Sequence, residues 1–111
     1  MDTKPARLSE TSAKIAALND AHRRSMQGCT VTRGVLALCS DANEVFVGVR
    51  DYTEFNEDND PYGEHDFGSL KVAGEKIFWK IDYYDEDLKN WCDPLDLDCN
   101  RVLTIMLAEE Y

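Results

Sequence analysis

The stretch DNDPYGEHDFG, residues 58–68, concentrates side chains that could do chemistry. The stretch holds His65, one proline, two glycines and four carboxylates, which are Asp58, Asp60, Glu64 and Asp66. Oxygen ligands of this kind suit calcium, and carboxylates combined with an imidazole can ligate zinc, manganese or iron. The spacing of these groups decides which of these chemistries is open to them.

Calcium binding by an EF-hand requires ligands at fixed loop positions. Asp58, Asp60 and Gly63 would fall at positions 1, 3 and 6 of such a loop. Position 12 would then be Ser69, where the loop needs a bidentate glutamate. No pair of flanking helices is predicted around the segment. The sequence therefore argues against an EF-hand and leaves open a looser calcium site.

A transition-metal or hydrolytic site would be built on Glu64, His65 and Asp66. In an extended chain, neighbouring side chains point to opposite faces, so Glu64 and Asp66 converge and His65 does not join them. No pairing of a nucleophile with a histidine at informative spacing is visible. We therefore assign no catalytic residue, metal ligand or cofactor. A metal-dependent enzyme, or a metal-stabilised module centred on residues 58–66, is kept as the alternative.

Two further interpretations treat the same segment as a loop or as a surface. Asp-Pro and Tyr-Gly favour turns, and Asp58 and Asp60 can accept backbone N–H groups. Carboxylates interleaved with tyrosine and tryptophan also suit an interface whose partner offers arginine and lysine. We assign partner binding to nine residues: Asp58, Asp60, Tyr62, Glu64, Asp66, Asp85, Glu86, Asp87 and Trp91.

The charge balance supports a protein partner. Twelve Lys and Arg face 22 Asp and Glu, which gives a net charge of −10. Because clustered Lys and Arg make the contacts to a phosphate backbone, no direct nucleic-acid binding is predicted. A basic protein surface is the expected partner, although a high net charge also serves plain solubility. Fourteen of the 22 carboxylates lie in residues 51–66, the first acidic segment, and residues 82–98, the second acidic segment.

The remaining bulk properties indicate a small cytoplasmic domain. The 111 residues suit one domain over 8–111, with residues 1–7 expected to be disordered. No apolar run approaches the ~20 residues of a membrane span, and the first residues lack a signal-peptide core. The spacing of the four cysteines matches no zinc or redox motif, so they are expected to be free thiols: Cys29, Cys39, Cys92 and Cys99.

Periodicity predicts the elements that must position these residues. A helix is expected over 8–26, capped by Ser9 or Thr11, with an apolar stripe formed by Leu8, Ile15, Leu18 and Ala21. Residues 30–39 and 44–53 are rich in β-branched side chains and predict a hairpin around a turn at 40–43.

A second hairpin is predicted from period-two alternation, with arms at 67–72 and 76–84. Its core face would carry Ile77, Trp79, Ile81 and Tyr83. A short helical turn at 85–91 and a last interior strand at 101–108 complete the chain. The expected fold is α+β, with the N-terminal helix packed on a roughly five-stranded antiparallel sheet. Both acidic segments should then meet at one edge.

Three sequence blocks, DPYGEHDFG, WKIDYYD and TIMLAEEY, resemble a domain-of-unknown-function family of small bacterial proteins carried on plasmids and other mobile elements. The resemblance covers residues 20–111 and implies no activity, cofactor or catalytic residue. It implies a mobile-element setting, in which an acidic protein would antagonise a host defence system. The expected function is a non-enzymatic, anti-CRISPR-like inhibitor that occludes a basic nucleic-acid-binding surface. No small-molecule ligand and no membrane contact are expected.

Overall fold

The computed structural model describes residues 9–111, and its first element is helix α1, Glu10–Ser25. The hydroxyl of Ser9 caps the helix by accepting the N–H of Ser12 at 3.0 Å. Met26, with a left-handed φ of 55°, ends it. The predicted helix is thus confirmed. Residues 1–7, expected to be disordered, and Leu8 lie outside the described residues.

The hairpin predicted over residues 30–53 is wrong. Strand β1 is only Thr30–Val31, and helix α2, Arg33–Leu36, and helix α3, Ala42–Arg50, follow it. Within α3 the buried residues are Ala42, Val45 and Val49, which recur every three or four positions as on one helix face. The β propensity of the valines is outweighed by this burial, because propensity is a weak preference that packing overrides.

Within residues 9–111, the sheet has four strands rather than five and is mixed rather than antiparallel. Strand β2 is Phe67–Val72, β3 is Glu75–Tyr84 and β4 is Asn100–Leu107. The order is β1-β4-β3-β2, and β1 runs parallel to β4 while the other neighbours are antiparallel. The second predicted hairpin and the interior last strand are confirmed.

The connections at the end of β3 differ from the prediction. Residues 85–91 form turns and not a helix. Trp91 instead makes an isolated antiparallel bridge with Tyr84, with the N–H of Asp85 donating to the carbonyl of Asn90 at 2.8 Å. The segment therefore folds back beside the last residues of β3.

One face of the sheet packs against the helices and forms the core. The predicted set on β3 is confirmed, since Ile77 and Trp79 are fully buried and Ile81 and Tyr83 nearly so. The helices contribute the rest of the cluster, chiefly Ile15, Val35, Val45 and Val49. No helix within residues 9–111 is long and apolar enough to cross a membrane.

The opposite side of the sheet, which we call the open face, is mostly half-exposed. Its side chains come from alternate positions of β2, β3 and β4: Phe67, Ser69, Lys71, Lys76, Phe78, Lys80, Asp82, Tyr84, Val102, Thr104 and Met106. Tyr111 packs across it, with ring centroids 6.2 Å from Phe67 and 5.6 Å from Phe78. Aromatic side chains thus remain accessible on this face.

The C-terminal turn is fixed by the carboxylate of Glu110. It accepts the hydroxyl of Thr32 at 2.6 Å, the N–H of Leu107 at 2.8 Å and the N–H of Gly34 at 3.2 Å. These bonds lower the pKa of Glu110, led by the one from Thr32. The sequence block around Glu110 therefore joins the end of β4 to the start of α2.

Candidate functional site

The buried face of α1 is partly polar where an apolar stripe was predicted: of that stripe Ile15 is buried, whereas Leu18 and Ala21 are exposed. Leu18 is 44% exposed, while Asn19 and Arg23 are fully buried. The guanidinium of Arg23 donates to the carbonyls of Val49 at 3.0 Å and Tyr52 at 3.1 Å. Arg23 therefore secures the end of α3, where the first acidic segment begins.

Aromatic rings and an acid complete the environment of Arg23. Its guanidinium carbon lies 5.1 Å from the ring centroid of Trp79 and 5.5 Å from that of Phe55. Nη1 of Arg23 donates to Asp20 at 2.9 Å. The buried charge is thus paired and hydrogen-bonded, as a charge removed from water must be.

Asp20 also holds His65 and so joins α1 to the first acidic segment. Its two carboxylate oxygens lie 3.0 and 3.1 Å from Nδ1 of His65. The imidazole stacks on Phe55 at 3.8 Å with an interplanar angle of 2°. The backbone of His65 adopts a left-handed φ of 57°, which non-glycine residues seldom adopt.

Asp60, one of the nine predicted contact residues, is buried with 3% exposure. Its Oδ1 accepts the N–H groups of Glu64 and His65, both at 3.2 Å. This confirms the interpretation of Asp60 as a residue that shapes the loop. It also corrects its assignment to an exposed contact surface, because the side chain points into the fold.

A single buried amide connects the two acidic segments. Nδ2 of Asn19 donates to the carbonyl of Glu64 at 2.9 Å and to the hydroxyl of Tyr83 at 2.8 Å. Its Oδ1 accepts Nε–H of Arg101 at 2.7 Å, and Nη2 of Arg101 donates to the carbonyl of Pro94 at 2.6 Å. Asn19 thus fixes the first segment at Glu64 and the second at Pro94.

Carboxylates from both segments approach one another beside this amide. Burial raises the pKa of Asp66, and the neighbouring charges of Asp60 and Asp82 raise it further. Burial also raises the pKa of Glu64, with Asp66 and Asp60 adding to the effect. The N–H of Ile81 donates to the carbonyl of Asp66 at 2.8 Å, so the end of the first acidic segment lies beside the start of the second, as expected from the hairpin.

The second acidic segment is the more exposed of the two. Trp91 is 71% exposed, Leu88 is 56% exposed and Leu97 is fully exposed. Asp85 accepts the N–H of Lys89 at 3.1 Å, a bond that heads the causes lowering its pKa. A shallow cleft of about 370 Å³ is lined by Asp85, Glu86, Asp87, Cys92, Asp96 and Asp98.

The other predicted contact residues divide by exposure. Asp58, Tyr62, Glu86, Asp87 and Trp91 are exposed, whereas Glu64, Asp66 and Asp85 are half-buried. Sequence reasoning missed Asn19, Asp20, Arg23 and Arg101, because polar side chains on a helix or strand are ordinarily solvated. The spacing of Ile15, Asn19 and Arg23, four residues apart, was the available sign that these side chains share one face.

The net charge of the chain resides in the two acidic segments. They hold 14 of the 22 carboxylates but only one of the 12 Lys and Arg, Lys89. Strand β2 begins after the first segment, and the second segment runs from the last residues of β3 to just before β4. Antiparallel pairing places these strand ends together, so the negative charge collects at one end of the sheet.

The alternative chemistries gain no support from this geometry. Within residues 9–111, no group of three or more His, Cys, Asp or Glu is placed to hold a metal ion. The calcium-loop positions that start at Asp58 run into strand β2 instead of a second helix. The four cysteines are free thiols, with Cys39 exposed and the others half-buried.

Comparison with known proteins adds a family assignment. No curated protein and no solved structure matches the chain. A family model described as protein of unknown function, DUF3768, matches residues 31–110. This range includes the DPYGEHDFG and WKIDYYD blocks and all but the last residue of TIMLAEEY. The chain therefore belongs to the DUF3768 family.

Proposed function

We propose that this protein is an acidic, non-enzymatic binding module that docks on a basic surface of another protein. The observation that carries the proposal is the segregation of charge at one end of the sheet. The two acidic segments hold 14 of the 22 carboxylates, whereas the rest of the chain holds 11 of the 12 Lys and Arg. The electric field of this negatively charged end attracts and orients a cationic partner.

Exposed apolar side chains supply the anchors that charge alone does not. Trp91 and Leu97 project from the second acidic segment, at 71% and 100% exposure. Tryptophan is enriched among the few interface residues that dominate binding energy, and surrounding charges mainly set orientation and association rate. Trp91 would enter a pocket of the partner while Glu86, Asp87 and Asp96 face its arginine and lysine residues.

The target class proposed is a nucleic-acid-binding effector. Duplex DNA carries one charge per ~1.7 Å, so a net charge of −10 matches ~17 Å, or roughly five base pairs, of phosphate. A module of this charge would cover a binding groove and exclude the nucleic acid. The resemblance of the sequence blocks to mobile-element proteins motivates the setting proposed here, a bacterial cytoplasm in which the protein inhibits a host defence complex.

A capture experiment with a matched charge control tests the proposal. The tagged full chain is incubated with bacterial lysate, and captured proteins are challenged with salt and with duplex DNA. The test variant carries Glu86→Gln, Asp87→Asn, Asp96→Asn and Asp98→Asn in the second acidic segment. The control removes four exposed charges elsewhere, by Glu10→Gln, Asp41→Asn, Glu44→Gln and Glu109→Gln.

The expected result is a partner that DNA and high salt displace, that the test variant loses and that the control retains. Trp91→Ala should weaken binding at least about tenfold, while the dependence of affinity on salt stays unchanged. Affinity that is flat with salt, or an equal loss in the test variant and the control, would reject the proposal.

A further inference from the structure

The imidazole of His65 lies between two carboxylates that come from different elements. Its Nδ1 is 3.0 and 3.1 Å from the two carboxylate oxygens of Asp20 on α1. Its Nε2 is 3.7 Å from Oδ2 of Asp60 in the first acidic segment. Both ring nitrogens therefore face an anionic acceptor, and the ring joins the helix to the segment.

Only one protonation state of the ring suits both contacts. A neutral imidazole carries one N–H, and its other nitrogen is an acceptor, which a carboxylate oxygen repels. The imidazolium has an N–H on each nitrogen and attracts both Asp20 and Asp60. When the ring loses a proton, the proton leaves from Nε2, because Nδ1 is closer to its carboxylate and forms the stronger hydrogen bond. Deprotonation thus acts on the contact with Asp60.

The charged groups around the ring favour the imidazolium. They are Asp20 and Arg23 from α1, Asp60, Glu64 and Asp66 from the first acidic segment, and the ion pair of Lys80 with Asp82 from β3. Arg23 already donates to Asp20 at 2.9 Å and Lys80 to Asp82 at 2.6 Å, so the excess charge is negative. Nearby opposite charge stabilises a cation, and desolvation opposes it only in part because 26% of the His65 side chain is exposed.

We propose that His65 is a proton-operated clamp, which as an imidazolium holds the first acidic segment against α1 and on losing a proton loosens it. The carboxylate of Asp60 is 3% exposed and accepts the N–H groups of Glu64 and His65, both at 3.2 Å. Deprotonation removes the positive charge beside this buried carboxylate, and a buried charge is costly without compensation. The same contacts hold the left-handed backbone of His65, with its φ of 57°. Loosening should therefore begin at residues 64 and 65.

The direction of the pH dependence follows from the sign of the ring's charge. The charged ring gains partners on folding, so its contribution to stability is full in acid and is lost as the proton dissociates. Histidine side chains ordinarily change charge between about pH 5 and pH 8. The segment is therefore held in acid and loosened in base. This property belongs to the folded chain alone and stands independently of the partner proposed above.

Nuclear magnetic resonance of the histidine rings tests the protonation state. Long-range proton–nitrogen spectra of the full chain distinguish the imidazolium from each neutral tautomer, and the chain contains only two histidines. His22 is the internal reference, because burial lowers its pKa and the charge of Arg101 lowers it further. We expect His65 to keep both ring protons to a pH at least about one unit above that at which His22 becomes neutral, and then to retain the proton on Nδ1. The variant His22→Gln assigns the two sets of signals.

Amide hydrogen exchange tests the loosening of the segment. Protection factors, which correct for the intrinsic effect of pH on exchange, are measured below and above the titration of His65. We expect the protection of the Glu64 and His65 amides to fall at least about threefold, while that of the β4 amides stays constant. His65→Gln should show the low protection at every pH, and Asp20→Asn should shift the loss of protection towards acid. Asp41→Asn, which removes an exposed carboxylate outside the cluster, is the matched control and should behave like the unmodified chain.

Three results would overturn the inference. The first is a His65 ring that becomes neutral together with His22 or at a lower pH. The second is a neutral His65 ring that carries its proton on Nε2. The third is protection of the Glu64 and His65 amides that stays unchanged while His65 titrates. All three are measured on the unmodified chain, so they do not depend on whether a variant folds.

Discussion

At the scale of single residues, the guanidinium of Arg23 joins α1 to the end of α3 through the carbonyls of Val49 and Tyr52. We expect Arg23→Met to lower the free energy of unfolding by about 3–5 kcal/mol, because it leaves buried polar groups without their partner. Urea denaturation provides the measurement. Arg24→Met, at the exposed neighbouring position, should change it by less than about 0.5 kcal/mol. Equal effects of the two substitutions would contradict this role.

A second prediction at this scale concerns pH and Asp66. Because the folded-state pKa of Asp66 is raised, its contribution to stability is fully present below the ordinary value of 3.8 and is lost as pH rises through the raised value. Asp66→Asn should therefore stabilise the protein at neutral pH, by less than about 1 kcal/mol because the group is partly solvated. The gain should vanish in acid. Thermal melts of both proteins, measured at intervals of about one pH unit from pH 3 to pH 8, would show this change in the stability gain. A stability gain that persists at the acid end would refute the explanation.

The residues of the site were only partly predictable from the sequence. The acidic residues around Asp66 and the exposed Trp91 could be selected, because charge and aromatic content are visible without a fold. Asn19 and Arg23 could not, since their burial depends on partners such as Tyr83, 64 positions after Asn19, and Val49, 26 positions after Arg23. From the sequence alone, a helix face of mixed polar and apolar residues is predicted to be solvent-exposed.

At the scale of elements, close packing of glycines controls how β2 sits on its neighbours. A Cβ at Gly68 would lie 2.5 Å from Nε1 of the fully buried Trp79. A Cβ at Gly48 would lie equally close to Leu70, but there it meets the end of a flexible side chain. We expect Gly68→Ala to lower the free energy of unfolding by about 1–3 kcal/mol, and Gly48→Ala to lower it by less. Chemical denaturation of both variants tests the order, and the reverse order would disprove it.

Elements with a clear period were predictable and those with competing signals were not. The alternation along β3 specified its buried face, and the two-residue turn at Ala73 and Gly74, both with positive φ, closes the hairpin. Residues 44–50 carry valines that favour a strand, yet their burial follows a helical period. There, packing against β2 and α1 outweighs the local propensity for a strand. A short window of sequence does not contain these distant contacts.

At the scale of the whole molecule, concentrated negative charge should make stability depend on salt. The two acidic segments repel each other at one end of the sheet, and ions screen such repulsion over ~8 Å at physiological ionic strength. We expect the melting temperature to rise with sodium chloride, and to rise less in the variant with Glu86→Gln, Asp87→Asn, Asp96→Asn and Asp98→Asn. Calorimetry at several salt concentrations measures both; a melting temperature that falls with salt would contradict the repulsion.

The two tryptophans occupy opposite environments, since Trp79 is fully buried and Trp91 is 71% exposed. Their fluorescence should therefore separate into a blue-shifted emission from the interior and a red-shifted emission that acrylamide quenches. The Trp91→Phe variant would keep Trp79 alone as a reporter of core integrity. In the unmodified protein, a ligand that covers Trp91 would change the emission of Trp91 and leave that of Trp79 unchanged. The protein thus carries built-in optical probes for distinguishing loss of folding from occupation of its surface.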